Sequence, residues 1–303
     1  MTSKSAQQAY NKFRKYVNDH ILDFMPDIDP KSKTLYEAMK YSLLAGGKRI
    51  RPILFLAAYD LCEKPLNQAL PFACAIEYIH TYSLIHDDLP AMDNDDFRRG
   101  NPTNHKVFGE GVAVLAGDGL LSAAYESMLK YMLLFLDNPE HLKCFTKAMY
   151  CISKGTGVRG MVAGQLADLE AEDSVPTEAI VSFIHYNKTA AFIRACVKAG
   201  GFLGAADNVL LHDLEIYGEN LGLAFQIVDD ILDVVSTEDE LGHTIGKDAE
   251  EGKCTYPSLF GIEKSKQIAR EHINTAREAI SKYYDNAEVL EYILEMLEDK
   301  ING

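Results

Sequence analysis

The chain contains no Cys-x-x-Cys pair. Its six cysteines, at 62, 74, 144, 151, 196 and 254, lie mostly in apolar helical patterns, as packed thiols of a reduced cytoplasmic protein do. Basic residues are scarce: 30 Lys and Arg face 45 Asp and Glu, for a net charge of −15. That argues against a nucleic-acid partner, because phosphate contacts demand a basic surface. Any bound anion must then meet locally concentrated cations. The opening stretch "MTSKSAQQAYNKFRKYV" lacks the apolar run of a signal peptide. No uncharged run approaches the ~20 residues of a membrane span. No convincing alternating strand is present, and no Gly/Ser-rich linker or change of composition marks a domain boundary. His/Cys sets with zinc spacing and the EF-hand spacing are absent too.

What is present is apolar periodicity. Hydrophobic residues make up 47% of 303 residues, enough for a substantial core. Leu210, Leu214, Tyr217, Leu221, Phe225, Val228, Leu232 and Val235 recur every three or four residues, which predicts one long helix over 208–235. The same spacing predicts helices near 6–22, 34–45, 52–62, 67–88, 111–136, 140–153, 177–200, 265–284 and 287–299. Pro65, Pro139 and Pro176 sit ahead of or at the start of such patterns, where a missing N–H costs little. The expectation is a single all-α domain, 1–303, of ten or more helices, with 177–200 and 208–235 central.

Two acidic clusters interrupt this apolar background. "HDDLPAMDNDDFRRG" ends a helix with Asp87 and Asp88, and Pro90 disfavours helical geometry at Leu89 before Asp93 returns. "FQIVDDILDV" puts Asp229, Asp230 and Asp233 inside a helix, with Asp229 and Asp233 on one face and Gln226 a turn earlier. A solvated acidic patch would explain either cluster alone. Both lie within strongly apolar helices, however, so mutual repulsion needs relief. Mg²⁺ takes oxygen ligands and is commonly held by one or two carboxylates plus substrate phosphates. The clusters therefore point to a polyphosphate carried on several Mg²⁺ ions.

Cations are supplied locally. "GGKRIRP" offers Lys48, Arg49 and Arg51 after a double glycine that should end a helix. "FRRG" offers Arg98 and Arg99, "YNKTAAF" offers Lys188 and Thr189, and "IGKDAEEGK" offers Lys247 and Lys253. Arg49, flanked by two better candidates, reads as a surface cation. His80 lies two turns before Asp87, ~10 Å along the same helix face, and by itself reads as a hydrogen-bonded core histidine.

"GGKRIRP", "HDDLPAMDNDDFRRGNPTNHK", "GMVAGQLADL", "KTAAFIRA", "FQIVDDILD" and "GKDAEEGKCTYP" occur in the order seen in trans-isoprenyl diphosphate synthases. Over nearly its whole length the chain resembles the short-chain bacterial farnesyl diphosphate synthases. The resemblance implies the all-α isoprenoid synthase fold around a central cavity, in a cytoplasmic homodimer. It implies condensation of isopentenyl diphosphate with dimethylallyl or geranyl diphosphate, assisted by Mg²⁺, three ions with substrate bound. Asp87, Asp93 and Asp229 then look like principal Mg²⁺ ligands, supported by Asp88, Asp230 and Asp233. Lys48, Arg51, His80 and Arg99 resemble the isopentenyl diphosphate pocket. Arg98, Lys188, Thr189, Gln226 and Lys253 resemble the allylic diphosphate pocket, with Lys188 among the catalytic groups. One departure is "ELGHTIGKD", which has His243 where many relatives carry lysine, and Lys247 four residues later.

Tyr82, five residues before Asp87, lies ~7.5 Å from the metal end of its helix, and Ser83 lines the same wall. The resemblance makes Tyr82 a floor for the growing tail. It implies farnesyl diphosphate as the main product and geranylgeranyl diphosphate as the alternative. A terpene cyclase shares the metal motifs but needs no second diphosphate pocket. A noncatalytic synthase subunit should have eroded aspartates, whereas both clusters here are complete.

Overall fold

The computed structural model describes residues 4–171, 175, 177–235, 255–283 and 286–302. The fold is all-α. The chain forms two compact units, one of residues 12–53 and 67–142, the other of 1–11, 54–66 and 143–303.

In the first unit, α1 (Lys4–His20, which begins in the other unit) and α2 (Lys33–Leu44) lead to α3 (Ile50–Asp60), which crosses between the units in sequence. Then come α4 (Leu70–Asp87), a short hairpin, α5 (Asn104–Phe108) and α6 (Glu110–Met132). α4 is apolar all round, and even Glu77 is buried on it. It packs against α6, whose buried positions are mostly small: Ala113, Ala116, Gly117, Ala123, Ala124 and Ser127, beside Leu120 and Met128. A Cβ on Gly117 would collide with the His86 ring, so glycine lets His86 lie on α6. By length and composition Glu110–Phe135 could cross a membrane. Of its most apolar window 44% is buried, on the side that carries the small residues.

The expectation of no strand needs a correction. Phe97–Arg98 pairs antiparallel with Asn101–Pro102. The two loop residues, Arg99 and Gly100, both have positive φ (54° and 77°), as a tight hairpin turn demands. A two-residue strand is too short to show alternation in sequence.

The second unit holds α7 (Pro139–Thr156, whose first turn lies in the first unit), α8 (Met161–Ala171), α9 (Glu178–Ile184), α10 (Ala191–Leu203) and α11 (Asn208–Val235). α12 (Tyr256–Phe260), α13 (Ile262–Ile280) and α14 (Glu288–Asn302) follow. The predicted helix near 177–200 is really α9 and α10 joined by a π-helical turn, His185–Ala190. α11 packs against α13, α10 and that turn. Leu214, Leu221 and Ile227 on α11 are fully buried, each contributing ~1.5–3 kcal/mol over exposure. That outweighs the helix cost of Gly218 and Gly222, about 1 kcal/mol each. The glycines are needed because a Cβ on either would strike the backbone of Arg194 or Ala190. Helices α5, α8 and α12 escaped the periodicity. Cys74 and Cys196 are buried, Cys62, Cys144 and Cys151 are partly buried, and Cys254 lies outside the described residues.

Candidate active site

The first acidic cluster sits where α4 ends. Asp87 is the last helical residue, and the chain turns so that Asp93 N donates to Asp87 O at 2.9 Å. The two carboxylates thus leave one turn. Asp88 is buried, and its Oδ1 accepts from Arg98 Nε at 2.5 Å. Burial pushes the Asp88 carboxyl up to about 7, with Arg98 opposing. Arg98 also reaches Asp95 at 3.3 Å, so the hairpin folds back on the cluster that precedes it.

The basic loop lies in the same unit. α2 stops at Leu44, and Gly46 and Gly47 follow at φ 86° and 121°. The Arg99 guanidinium lies against Gly47, where any Cβ would collide, and donates to the Gly46 carbonyl. The double glycine therefore both ends a helix and seats an arginine. Arg49 corrects its reading as a surface cation. With φ 54° its side chain turns inward, donating to Asn18 at 2.9 Å, Glu77 at 2.5 Å and Leu43 O at 2.5 Å. Lys48 stays exposed, and Arg51 Nη1 lies 3.5 Å from His80 Nε2. Burial, then Arg51 and Arg99, hold the His80 imidazole well below its usual range. Arg51, His80 and Arg99, far apart in sequence, thus form one electropositive group with a neutral histidine inside it.

Tyr82 is 8% exposed, its ring edge-on to His86 at 5.7 Å. Burial, then Tyr125 and Asp87, push its hydroxyl up to about 12. Ser83 Oγ donates to the His80 carbonyl at 2.9 Å.

The second cluster lies in the second unit. Asp229 is half-exposed, 3.7 Å from Lys300 Nζ. Asp230 is buried and fully engaged: Oδ1 accepts from Gln226 Nε2 at 3.0 Å, and Oδ2 accepts from Tyr256 N at 3.1 Å and faces His185 Nε2 at 3.1 Å. Thr189 Oγ1 donates to Gln226 Oε1 at 2.6 Å, which joins two predicted allylic-site residues. Lys188 Nζ meets Asp168 Oδ2 on α8 at 2.5 Å. Gly164 permits this approach, since a Cβ there would strike Lys188 N. Lys253, His243 and Lys247 lie outside the described residues.

Sequence reasoning gave no role to Asp168, His185 or Glu77. Asp168 was visible as an acidic residue in the small-residue run "GMVAGQLADL", and His185 as a lone histidine three residues before Lys188. Nothing local marked Glu77.

Mg²⁺ fits these donors. Asp233 Oδ2 is buried without a hydrogen-bond partner among the described residues, an orphaned hard oxygen. Among those residues no three His, Cys, Asp or Glu side chains form a ready cage.

The same architecture is found in solved prenyl synthases. The chain superposes on the crystal structure of an FPP/GFPP synthase from Zymomonas mobilis, in its apo form, with a TM-score of 0.84 and 33% identity, over 96% of this chain and 98% of that one. The fold is therefore that of the isoprenyl diphosphate synthases, which are prenyl-transferring enzymes. A family model described as polyprenyl synthetase matches residues 32–297, and the chain belongs to that family. It is 41% identical over 297 residues to a farnesyl diphosphate synthase of Geobacillus stearothermophilus, 98% of each chain. It is 46% identical over 253 residues to a geranylgeranyl diphosphate synthase of Cyanophora paradoxa, 83% of this chain and 82% of that one.

Proposed function

We propose that the protein is a Mg²⁺-dependent farnesyl diphosphate synthase, with residues 1–303 working as one polyprenyl synthetase domain. The observation that carries the reading is the pairing of acid with base within each unit: Asp87 and Asp93 share a unit with the Arg51–His80–Arg99 group, and Asp229 and Asp233 share one with Lys188, Thr189 and Gln226. Two diphosphates need cationic or hydrogen-bonding groups in two places, Arg51 and Arg99 in one unit and Lys188 with Thr189 and Gln226 in the other, which a terpene cyclase does not.

Asp87, Asp88, Asp93, Asp229 and Asp233 would hold the ions. Bound Mg²⁺ would supply charge neutralisation for the departing diphosphate. Lys48, Arg51, His80 and Arg99 bind isopentenyl diphosphate. Arg98, Lys188, Thr189, Gln226 and Lys253 bind the allylic diphosphate. The allylic C–O bond breaks, and its electron pair leaves with diphosphate. The terminal alkene carbon of isopentenyl diphosphate attacks the cation, and loss of a proton to the released diphosphate restores a double bond. The side chains contribute positioning and fixed charge rather than acid–base chemistry.

The C15 product rests on Tyr82, buried five residues before Asp87, with Ser83 lining the wall. End-to-end similarity to the Geobacillus enzyme supports it. A geranylgeranyl product is the second reading, favoured by the higher identity to the Cyanophora enzyme. We also take the protein to act as a homodimer in the cytoplasm. Leu115, Leu129 and Leu133, along one side of α6 and its extension, are exposed in the single chain and suit a second copy. The test incubates purified protein with Mg²⁺, labelled isopentenyl diphosphate and each allylic starter. Chromatography of dephosphorylated products should show C15. No consumption of isopentenyl diphosphate would overturn the reading.

A further inference from the structure

The second acidic motif contains an aspartate that its surroundings take away from metal binding. Asp230 is 3% exposed, and both its oxygens have protein partners. The partner that sequence reasoning overlooked is His185, 2% exposed, in the π-helical turn. A carboxylate only accepts, so His185 Nε2 carries the proton and donates to Asp230 Oδ2 across 3.1 Å. The ring stacks on Tyr256, with centroids 4.9 Å apart and planes 25° from parallel. Nδ1 is buried with no hydrogen-bond partner among the described residues. The imidazole is thus spent on one bond and one stack.

The π turn explains why His185 can do this. Single π turns inside α-helices recur at functional sites. Here the turn is pinned between α8 and α11 by Gly164 and Gly222. His185 and Thr189 both reach α11, where they meet Asp230 and Gln226, while Lys188 reaches Asp168 on α8. The result is a continuous path: Thr189 Oγ1 to Gln226, Gln226 to Asp230, Asp230 to His185 and to the first N–H of α12.

We propose that His185 is a positioning residue for the allylic diphosphate subsite. By anchoring Asp230 it fixes the Gln226 amide, and through that amide it aims Thr189. Without it, Asp230 Oδ2 loses a buried donor, and the carboxylate rotates away from Gln226. This rests on the function proposed above, because it needs Thr189 and Gln226 to face the allylic diphosphate.

The experiment compares His185→Phe, which keeps a stacking ring but no donor, with His185→Gln, which keeps a donor of similar reach. Calorimetry measures binding of geranyl thiolodiphosphate, an unreactive allylic analogue, and separately of isopentenyl diphosphate, both with Mg²⁺. His185→Phe should weaken the analogue roughly tenfold, as loss of one hydrogen bond to a charged group does. Isopentenyl diphosphate should change by less than about twofold, within additivity error. His185→Gln should restore most of the loss. His185→Phe combined with Thr189→Val should fall short of the product of their separate effects, because both lie on one path. Equal weakening of both ligands, or no rescue by glutamine, would mean a merely structural role and would overturn the inference. Unchanged analogue binding in His185→Phe would do the same. If His185→Phe does not melt cooperatively, His185→Asn, too short to reach Asp230, takes its place; failure of both to fold also overturns it. Wild-type turnover is measured alongside. Wild-type protein that neither binds the analogue nor consumes isopentenyl diphosphate removes the functional reading itself, and this inference falls with it.

Discussion

Arg49 Nη1 lies 2.5 Å from Glu77 Oε1, in a pair whose side chains are 2% and 1% exposed. The pair ties the Gly-Gly-Lys-Arg loop to α4, one turn before His80. Removing one partner leaves a buried charge uncompensated. Glu77→Leu should therefore cost about 3–5 kcal/mol of stability. Arg49→Met with Glu77→Leu should recover most of that loss, since both charges go together. Denaturant unfolding of the three proteins decides, and a Glu77→Leu variant as stable as wild type would refute the account.

That pair also marks the limit of what the sequence disclosed. Long helices such as α11 were legible because an apolar stripe repeats over many turns. α8 was not, because its buried stripe is Met161, Gly164, Asp168 and Ala171, with a carboxylate on it, while Val162 and Leu166 are exposed. The π turn has no residue preference that would announce it. Arg49 was misread because one left-handed residue reverses a side chain's direction, and only the folded loop fixes that φ. The acidic clusters were legible because carboxylates are anomalous in apolar helices. The partners of Asp230, Lys188 and Arg49 are ordinary residues from distant positions, so His185 and Asp168 were visible only as residue types, and nothing marked Glu77.

Asp87→Ala and Asp229→Ala should each reduce turnover at least a hundredfold and leave the melting temperature nearly unchanged. Each removes an oxygen from an ion that neutralises the leaving group, a contribution commonly worth about 3 kcal/mol or more. Steady-state assays at limiting Mg²⁺ give the answer. Near-normal turnover of both variants would sink the metal assignment.

Arg51→Ala and Lys188→Ala should divide the substrates. Arg51 belongs to the group around His80, and Lys188 to the π turn beside Asp168. The first variant should raise KM mainly for isopentenyl diphosphate, the second mainly for the allylic substrate. Equal effects of both variants on both substrates would contradict two separate diphosphate pockets.

His80 gives a pH signature in the absence of ligands. Burial and the neighbouring arginines hold its folded pKa well below the usual value of 6.5. On acidification the unfolded chain takes up that proton first. Between the two pKa values the unfolded state binds more protons, so stability rises with pH. The contribution is whole above about pH 6.5 and is lost as pH falls towards the folded pKa. The melting temperature of wild type minus that of His80→Gln should therefore shrink between about pH 7.5 and about pH 5.5. A difference independent of pH would show that His80 is not held neutral.

Tyr82 carries the chain-length prediction. Its ring is almost wholly buried on α4, edge-on to His86, five residues before the carboxylate assigned to the diphosphate end. His86 is itself held, because Nε2 lies 3.0 Å from the Val114 carbonyl and the ring occupies the space over Gly117. A tyrosine braced in this way cannot swing aside cheaply for a longer tail. Truncation opens a cavity of several methylene volumes, and a growing prenyl chain gains about 0.8 kcal/mol for each CH₂ it buries there. One isoprene unit carries five carbons, so full burial is worth about 4 kcal/mol and favours continuing past C15. Tyr82→Ala should therefore shift the product from C15 towards C20 or beyond, whereas Tyr82→Phe, which keeps the bulk, should not. Chromatography of the dephosphorylated products reads the ratio directly. An unchanged C15 profile in Tyr82→Ala would remove Tyr82 from the role, and a C20 profile already present in wild type would favour the geranylgeranyl reading.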